Sequence, residues 1–261
     1  MADLMKNKTV VVTGVGVGLG VEVATAHFEE GANVVIAARS ADRIEKVAAE
    51  LDPTGKRVLA HVADINDDQS CAALIDAAVK RFGSVDALVQ VAAFEDAWGG
   101  LFDADLDKWG KAYDTNVIGA LRILRAAVPA IKAAGGGSIV LIGTQSAFKP
   151  AMPQAGYAAS KGALLSTMYY LADELGPDKI RVNTVIPSWM WGPNVEMLVD
   201  YRAQKGDTTR EAVLDEIAGK FPLRRIADDR EVADATVFFN SDLSRAITGQ
   251  HLMVNCGEMS R

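Results

Sequence analysis

The most constraining feature of this sequence is a regular alternation of short β-rich apolar runs with longer runs of helical periodicity. The predicted strands are Thr9–Thr13, Asn33–Ala38, Arg57–Val62, Ala87–Val91, Ser138–Gly143, Ile180–Ile186 and Leu252–Val254. The predicted helices are Gly18–Glu30, Asp42–Leu51, Asp67–Phe82, Asp105–Ala133, Gln154–Leu175 and Glu231–Asn240. This alternation indicates βαβ units, and therefore an α/β fold with a doubly wound parallel sheet covered by helices on both faces.

Size and charge narrow the class of protein further. A chain of 261 residues with 49% apolar and 23% charged residues is typical of a globular protein, and we expect one domain over residues 1–261. The formal charge of −7, with Lys and Arg scattered among acids, disfavours a nucleic-acid surface. Without a leader pattern or a long apolar run, we expect a soluble cytoplasmic protein. Cys71 and Cys256 lack ligand spacing, so we expect reduced thiols and no metal site.

One segment breaks the alternation. Residues from Pro187 to Ile226 are rich in Trp, Met, Pro and Gly, and contain a short amphipathic pattern near Thr209–Lys220. Long irregular segments in compact domains are usually binding lids or disordered, and this one is too aromatic for disorder. We therefore predict a substrate lid at about residues 188–226.

A glycine-rich turn follows the first predicted strand. Its glycines fit Thr-Gly-x-x-x-Gly-x-Gly, with Gly14, Gly18 and Gly20 in the three places, rather than G-x-G-x-x-G. Glycine lets a chain turn sharply and lets a pyrophosphate approach the N–H groups of a helix N-terminus. A purely structural turn is the alternative interpretation. The predicted cofactor contacts of this turn are Gly14, Val17, Gly18, Leu19 and Gly20.

The end of the second predicted strand bears on cofactor choice. Ala38 stands where an acid would bind the ribose 2′-hydroxyl of NAD, and Arg39 follows it. A guanidinium matches the geometry of a phosphate, so NADP is favoured over NAD. A solvated surface arginine is the alternative interpretation of Arg39.

Tyr157 and Lys161 stand four residues apart on a predicted helix, so their side chains share one face. A free phenol has a pKa of about 10, and a neighbouring ammonium favours its ionised form. The pair therefore indicates proton transfer to or from an oxygen atom.

These motifs, with Asn116 in Asp114-Thr115-Asn116-Val117, resemble the short-chain dehydrogenase/reductase family. The resemblance covers essentially the whole length, including an ending, Gly249–Gly257, that looks like the family's last strand. It implies a single Rossmann-like domain of about seven parallel strands. It also implies NAD- or NADP-dependent interconversion of alcohols and ketones, and a homotetramer or homodimer paired partly through the helix that bears Tyr157.

The resemblance also implies roles for individual side chains. Tyr157 would be the acid in reduction and the base in oxidation, and Lys161 would bind the nicotinamide ribose and lower the pKa of Tyr157. Thr144 stands where the family usually has a serine that donates to the substrate oxygen, with Ser146 as the fallback. Asn116 would hold a water in the proton relay, or else bond nearby backbone as an ordinary helix residue.

The remaining cofactor contacts implied by the resemblance are Asp64, Ile65, Ala92 and Pro187. The sequence departs from the family pattern near two of these positions. Gln90–Ala93 replaces Asn-Asn-Ala-Gly, and Pro187-Ser188 replaces Pro-Gly. The threonine that often meets the carboxamide is absent from its usual offset, where Trp191 or Gly192 lies. These departures affect the expected cofactor geometry but not the proton-transfer pair.

The segments where the family meets its substrate are rich in aromatic and apolar side chains. The predicted substrate contacts are Phe94, Trp98, Thr144, Phe148, Met152, Trp189 and Trp191, with Met190, Met197, Leu198 and Tyr201 nearby. Such a lining selects hydrophobic ligands, so we expect a ketone or secondary alcohol on a cyclic, aromatic, terpenoid or steroid-like skeleton. Simple packing of the lid or of a subunit contact is the alternative. Glu95 and Asp96 add charge at the expected rim.

Two other functions stay open. A 3-ketoacyl-carrier-protein reductase would use the same residues, but it needs a basic patch to dock its acidic carrier, which the charge of −7 disfavours. A non-catalytic, nucleotide-sensing protein is compatible with the fold. It would be more attractive had Tyr157 or Lys161 been lost.

Overall fold

The computed structural model describes residues 3–150 and 152–259. Its strands are β1 Thr9–Thr13, β2 Asn33–Ala38, β3 Val58–Val62, β4 Ala87–Gln90, β5 Gly137–Ile142, β6 Ile180–Pro187, β7 Met190–Trp191, β8 Ala227–Asp228 and β9 His251–Val254. Seven of them form a parallel sheet in the order β3-β2-β1-β4-β5-β6-β9. The predicted fold class is confirmed.

Nine α-helices connect and cover these strands in the described ranges. They are α1 Leu19–Glu29, α2 Ala41–Leu51, α3 Asp68–Phe82, α4 Leu106–Tyr113, α5 Ala120–Ala133, α6 Ala155–Leu175, α7 Pro193–Lys205, α8 Arg210–Ala218 and α9 Asp229–Asn240. None of these helices is long and apolar enough to cross a membrane.

The two faces of the sheet have separate apolar cores because side chains alternate along a strand. In β1, Val11 faces the layer of α3, α5 and α6, whereas Val10 and Val12 face the layer of α1, α2 and α9. All three valines are fully buried, so the strand reads as a continuous apolar run, as expected for a parallel sheet covered on both sides.

The order of the strands in the sheet indicates where a ligand binds. From β1 the chain runs outward through β2 to β3, and then returns to pair β4 with the other side of β1. In open α/β sheets, ligands bind at the carboxyl ends of the strands where the order reverses. The glycine-rich turn after β1 lies at this point, as do the segments that follow β4 and β5.

The single helix predicted over residues 105–133 is interrupted. A π-helical turn at Asp114–Gly119 separates α4 from α5. Such turns are rare and recur at functional sites, because the wider hydrogen-bond spacing changes which groups face inward. The apolar periodicity continues through the turn, so the sequence does not reveal it.

Residues 187–226 are more ordered than the sequence indicates. They contain α7, which was not predicted, and β7, which pairs with β8 in a separate two-stranded parallel sheet. Val199 of α7 packs with Val213 and Ile217 of α8 in a small core of their own. Exposed Met197 on α7 blurs its apolar periodicity, which is why the pattern missed this helix.

Candidate active site

A cavity of about 870 Å³ lies at the carboxyl edge of the sheet. It brings together most of the residues predicted from the sequence. Those on its wall are Gly14, Val17, Gly18, Leu19, Gly20, Trp98, Thr144, Met152, Tyr157, Lys161, Pro187 and Trp189. Also on the wall are Glu95, Asp96, Ser146, Met190, Met197, Leu198 and Tyr201.

The glycine-rich turn forms one end of this cavity. Gly14 has φ +80°, and a Cβ there would lie 2.3 Å from the backbone nitrogen of Ala92. Gly18, with φ +72°, precedes α1 and has no capping side chain. In the first turn of α1, the N–H groups of Val21 and Glu22 donate to the Gly18 carbonyl. Those of Leu19 and Gly20 are therefore the ones left for an anionic ligand, and the site fits the pyrophosphate of a dinucleotide.

Lys161 lies one helical turn after Tyr157 on α6, facing the cavity. Its Nζ donates to the backbone oxygen of Ile142 at 2.8 Å and lies 5.9 Å from the centre of the Tyr157 ring. The side chain is almost fully buried, and this burial lowers the pKa of Lys161 to about 8. Lys161 therefore keeps its charge at neutral pH and loses it at mildly alkaline pH.

The pKa of the Tyr157 phenol is raised, not lowered as the pair alone predicted. Burial has the largest effect, and the negative charge of Glu95 adds to it, whereas a hydrogen bond with Thr144 acts in the opposite direction. The ammonium of Lys161 is turned to the Ile142 carbonyl. The phenol is therefore neutral near pH 7, which is the form that donates a proton.

Thr144 caps a short 3₁₀ turn, Gln145–Ala147, directly after β5. Its Oγ1 accepts a hydrogen bond from the Ser146 backbone at 3.3 Å, and its hydroxyl is bonded to that of Tyr157. The two hydroxyls thus meet at the cavity, where one substrate oxygen could contact both.

Asn116 lies in the π-helical turn and does not line the cavity. Its Oδ1 accepts from the Phe94 backbone N–H at 2.7 Å, and its Nδ2 donates to the Phe94 carbonyl and to Ser160 Oγ, both at 2.9 Å. The side chain therefore holds the segment after β4 in place. Both hydrogens of its Nδ2 are used in these two bonds.

Several other predicted contacts also lie away from the wall of this cavity. They are Arg39, Asp64, Ile65, Ala92, Phe94, Phe148 and Trp191. The backbone of Ala92 packs directly against Gly14. The ring of Phe94 lies under Lys111, and that of Phe148 stacks on His251. The rings of Phe94 and Phe148 therefore contact side chains of neighbouring elements.

A second cavity, of about 950 Å³, continues past the glycine-rich turn. Both cavities share Val17, Gly18, Gly192 and Asp229. Trp191, predicted as a substrate contact, lines this second cavity and not the first. Arg43 lines it too, and its guanidinium lies 3.6 Å from where a Cβ on Gly16 would be. Sequence reasoning missed Arg43, although it stands four residues after Arg39.

Asp229, the first residue of α9, is a second residue that sequence reasoning missed. Its Oδ2 lies 2.9 Å and 2.8 Å from where Cβ atoms on Gly18 and Gly192 would be. Burial, with smaller effects from Glu22 and Asp228, raises the pKa of Asp229 to about 6. No local sequence signal reveals this carboxyl group, because only the fold brings α9 to the glycine-rich turn.

The chain after β9 returns to the substrate side of the site. Asn255 donates to Gln145 Oε1 at 2.6 Å, and Glu258 accepts from Ser188 and pairs with Lys149 at 3.3 Å. This segment therefore joins the turn after β5 to the turn after β6. The sequence indicated a last strand here but not these contacts.

The known proteins that are similar over nearly the whole chain include a dehydrogenase, a dehydrogenase/reductase and a reductase. The trans-4-hydroxycyclohexanecarboxylate dehydrogenase of Sinomonas cyclohexanicum is 34% identical, covering 99% of this chain and 95% of the relative. The human dehydrogenase/reductase SDR family member 4 is 30% identical, covering 99% and 90%. The L-sorbose reductase of Gluconobacter frateurii, solved with NADPH and L-sorbose, is 28% identical, with a TM-score of 0.92 and 100% of both chains covered.

A family profile described as enoyl-(acyl carrier protein) reductase matches residues 14–258. This match, the two curated relatives and the seven-stranded sheet agree with the resemblance inferred from the motifs. The chain therefore belongs to the short-chain dehydrogenase/reductase family of oxidoreductases, whose members use NAD or NADP.

Proposed function

We propose that this protein is an NADP(H)-dependent carbonyl reductase or alcohol dehydrogenase that interconverts a ketone and a secondary alcohol on a hydrophobic, cyclic skeleton. One observation carries the proposal. The bonded hydroxyls of Tyr157 and Thr144 face the same cavity as the glycine-rich turn, with Lys161 beside them. A carbonyl oxygen at the two hydroxyls would lie within reach of a dinucleotide held by that turn.

Tyr157, Thr144 and Lys161 each have a separate role in the proposed reaction. In reduction, the neutral phenol of Tyr157 donates its proton to the carbonyl oxygen, while the Thr144 hydroxyl stabilises the negative charge that develops there. Lys161 places a positive charge beside the phenol and favours the anion that remains. A bound nicotinamide dinucleotide supplies or accepts the hydride. Oxidation reverses these steps, with the phenolate as the base.

The second cavity supports a preference for NADP over NAD. Ser40, Arg43 and Lys46 line it, and Arg39 lies exposed at the end of β2. We propose that Arg39 and Arg43 bind the 2′-phosphate, which two guanidinium groups would hold through charge-assisted hydrogen bonds. The similar L-sorbose reductase was solved with NADPH.

The substrate side of the site supports an apolar, cyclic substrate. Trp98, Met152, Trp189 and Tyr201 line it. Residues 188–226 would act as a lid over it. The similar Sinomonas enzyme is named for a cyclic secondary alcohol. The L-sorbose reductase was solved with a polar sugar, which this aromatic lining disfavours.

A carrier-linked acyl reductase is the second candidate, because the matching family profile carries an acyl-carrier description. The net charge of −7 disfavours it, since an acidic carrier requires a basic docking surface. We also propose a homodimer or homotetramer formed partly through α6, where Ala159, Tyr169 and Tyr170 are exposed.

The direct test follows the absorbance of the reduced nicotinamide with NADPH or NADH against three kinds of carbonyl substrate. We expect NADPH with alkyl cyclohexanones to give the highest kcat/KM, above L-sorbose and above acetoacetyl thioesters. Preference for the thioester would support the second candidate. Absence of turnover with every carbonyl and alcohol tested would contradict both.

Asp229 leads to a prediction about cofactor affinity. Because its pKa is raised to about 6, the carboxyl group is neutral below that pH and negative above it. A phosphate bound at the nearby glycine-rich turn repels the charged form. We expect the Kd of NADP and of NAD to rise by up to about tenfold per pH unit as pH increases through 6 to 8.

Calorimetric titration in two buffers of different ionisation enthalpy measures both the Kd and the proton uptake. Asp229→Asn should remove the proton uptake and bind both dinucleotides more tightly at pH 8. Because NAD lacks the 2′-phosphate, it serves as the control for titration of that group. An unchanged pH dependence in Asp229→Asn would exclude this role.

A further inference from the structure

The charged groups on the wall of the cavity differ in whether they already have a bonding partner. Asp96 pairs with Lys108 at 2.7 Å, and Lys149 pairs with Glu258 at 3.3 Å. Lys161 is buried and bonded to a backbone carbonyl. Asp229 lies at the glycine-rich turn, away from the substrate side. In the part of the chain that the structure describes, the carboxylate of Glu95 has no ion pair and no hydrogen bond.

The backbone around Glu95 is held firmly in place. The Gln154 side chain, directly before α6, donates to the Glu95 carbonyl at 3.4 Å, and Ala97 N–H donates to it at 2.9 Å. One residue earlier, Asn116 makes its two bonds to the Phe94 backbone. Glu95 is therefore anchored both to the π-helical turn and to the start of the helix that bears Tyr157.

Glu95 acts electrostatically on both groups of the proton-transfer pair. Its charge raises the pKa of Tyr157 and opposes the lowering of the Lys161 pKa by burial. Glu95 lines the same cavity as Tyr157, Thr144 and Lys161. The Glu95 side chain is solvent-exposed, so water and salt partly screen its charge. For the same reason, removing water from the carboxylate when a ligand binds costs little free energy.

The surroundings of Glu95 complement a cation. Trp98, Trp189 and Tyr201 line the same cavity, and the faces of aromatic rings attract ammonium groups. A ligand with a protonated amine would meet a carboxylate that has no ion pair among the described residues, together with three aromatic side chains on the same wall. A ligand with a carboxylate near its carbonyl would meet only repulsion from Glu95, because the lysines on the wall already have partners.

We infer that Glu95 makes this site selective for carbonyl or alcohol substrates that carry a positive charge on their hydrophobic skeleton, such as cyclic amino ketones, over anionic ones. The inference rests on the proposed function and names the substrate class of that site. It distinguishes this chain from its Sinomonas relative, whose named substrate is a cyclic alcohol with a carboxylate.

The test compares three cyclohexanones that differ in the charge of one substituent. They are 4-(aminomethyl)cyclohexanone, 4-methylcyclohexanone and 4-oxocyclohexanecarboxylate. With NADPH, we expect kcat/KM to be at least about tenfold higher for the cation than for the anion. Glu95→Gln should reduce this ratio about tenfold, since it removes the charge and keeps the size. High salt should reduce the ratio in the wild type.

Glu174→Gln is the matched control. It makes the same change of charge at an exposed carboxyl group on α6 that does not line the cavity. We expect it to leave the cation-to-anion ratio within about twofold of the wild type, because solvent and salt screen a distant surface charge. A wild-type preference for the anion, or a ratio that Glu95→Gln leaves unchanged, would overturn the inference.

Binding without turnover separates this inference from the proposed function. The NADP-loaded protein should bind cyclohexylmethylammonium more tightly than cyclohexanecarboxylate, as measured by quenching of tryptophan fluorescence, and Glu95→Gln should remove the difference. If 4-methylcyclohexanone is not reduced but this binding preference holds, the proposed function fails and the charge selectivity stands. If the neutral ketone is reduced but neither turnover nor binding depends on the charge of the ligand, the proposed function stands and the charge selectivity fails.

Discussion

Replacing Tyr157 with phenylalanine is expected to lower kcat by at least about 10³-fold. The substitution removes the hydroxyl that meets Thr144 at the cavity and keeps the ring that packs near Lys161. Because the pKa of this phenol is raised, it is neutral near pH 7 and can act as the proton donor in reduction. Without it, the carbonyl oxygen must take its proton from water.

The same variant should keep its affinity for the dinucleotide, because Tyr157→Phe leaves the glycine-rich turn unchanged. Single-turnover measurement of nicotinamide absorbance gives the rate, and fluorescence titration with NADPH gives the Kd. Tyr170→Phe is the matched control, since Tyr170 lies on the same helix but is 77% exposed. Near-wild-type turnover by Tyr157→Phe would remove the phenol from the mechanism.

Replacing Lys161 with methionine is expected to lower kcat by about 10²-fold or more, which is the second largest effect. It should also raise the Kd for the dinucleotide. Methionine has a similar length and is apolar, so it fits the buried position. It removes the positive charge beside Tyr157 and the donor to the Ile142 carbonyl. The melting temperature reports whether the fold survives the change.

The pH dependence of kcat/KM in the wild type tests the role of the Lys161 charge independently. Its pKa is lowered to about 8, so the ammonium is present below that pH and lost above it. We expect kcat/KM for ketone reduction to fall as pH rises through about 8, and Lys161→Met to lack this decrease. Lys149→Met, which removes an ion-paired lysine on the same wall, should retain it. A pH-independent wild-type rate between pH 7 and 10 would argue against this role.

Most of the fold was predictable because most of its helices and strands have a local signal in the sequence. The buried valines of β1 read as a strand, and the four-residue spacing of Tyr157 and Lys161 reads as one face of a helix. Elements without such a signal were missed. The helix α7 mixes exposed and buried apolar residues, and the pairing of β7 with β8 depends on chain segments that are distant in sequence.

The site was predictable where its residues come in short motifs. The glycine-rich turn, Thr144, Tyr157 and Lys161 all reach one cavity. The substrate contacts predicted one at a time are more dispersed. Trp191 lines the second cavity, and Phe94 and Phe148 pack outside the wall of the first. The direction in which a loop side chain points depends on its neighbours in space, which a linear pattern does not contain.

By itself, the sequence determined the parallel sheet, the glycine-rich turn after its first strand and the placing of Tyr157 and Lys161 on one face of a helix, because steric and periodic requirements act between residues a few positions apart. Only the tertiary structure decided the raised pKa of Tyr157, the position of Asp229 against Gly18 and the position of Glu95 on the cavity wall. Those properties depend on solvent exclusion and on distances between charges from different elements. Both arise only when the chain is folded.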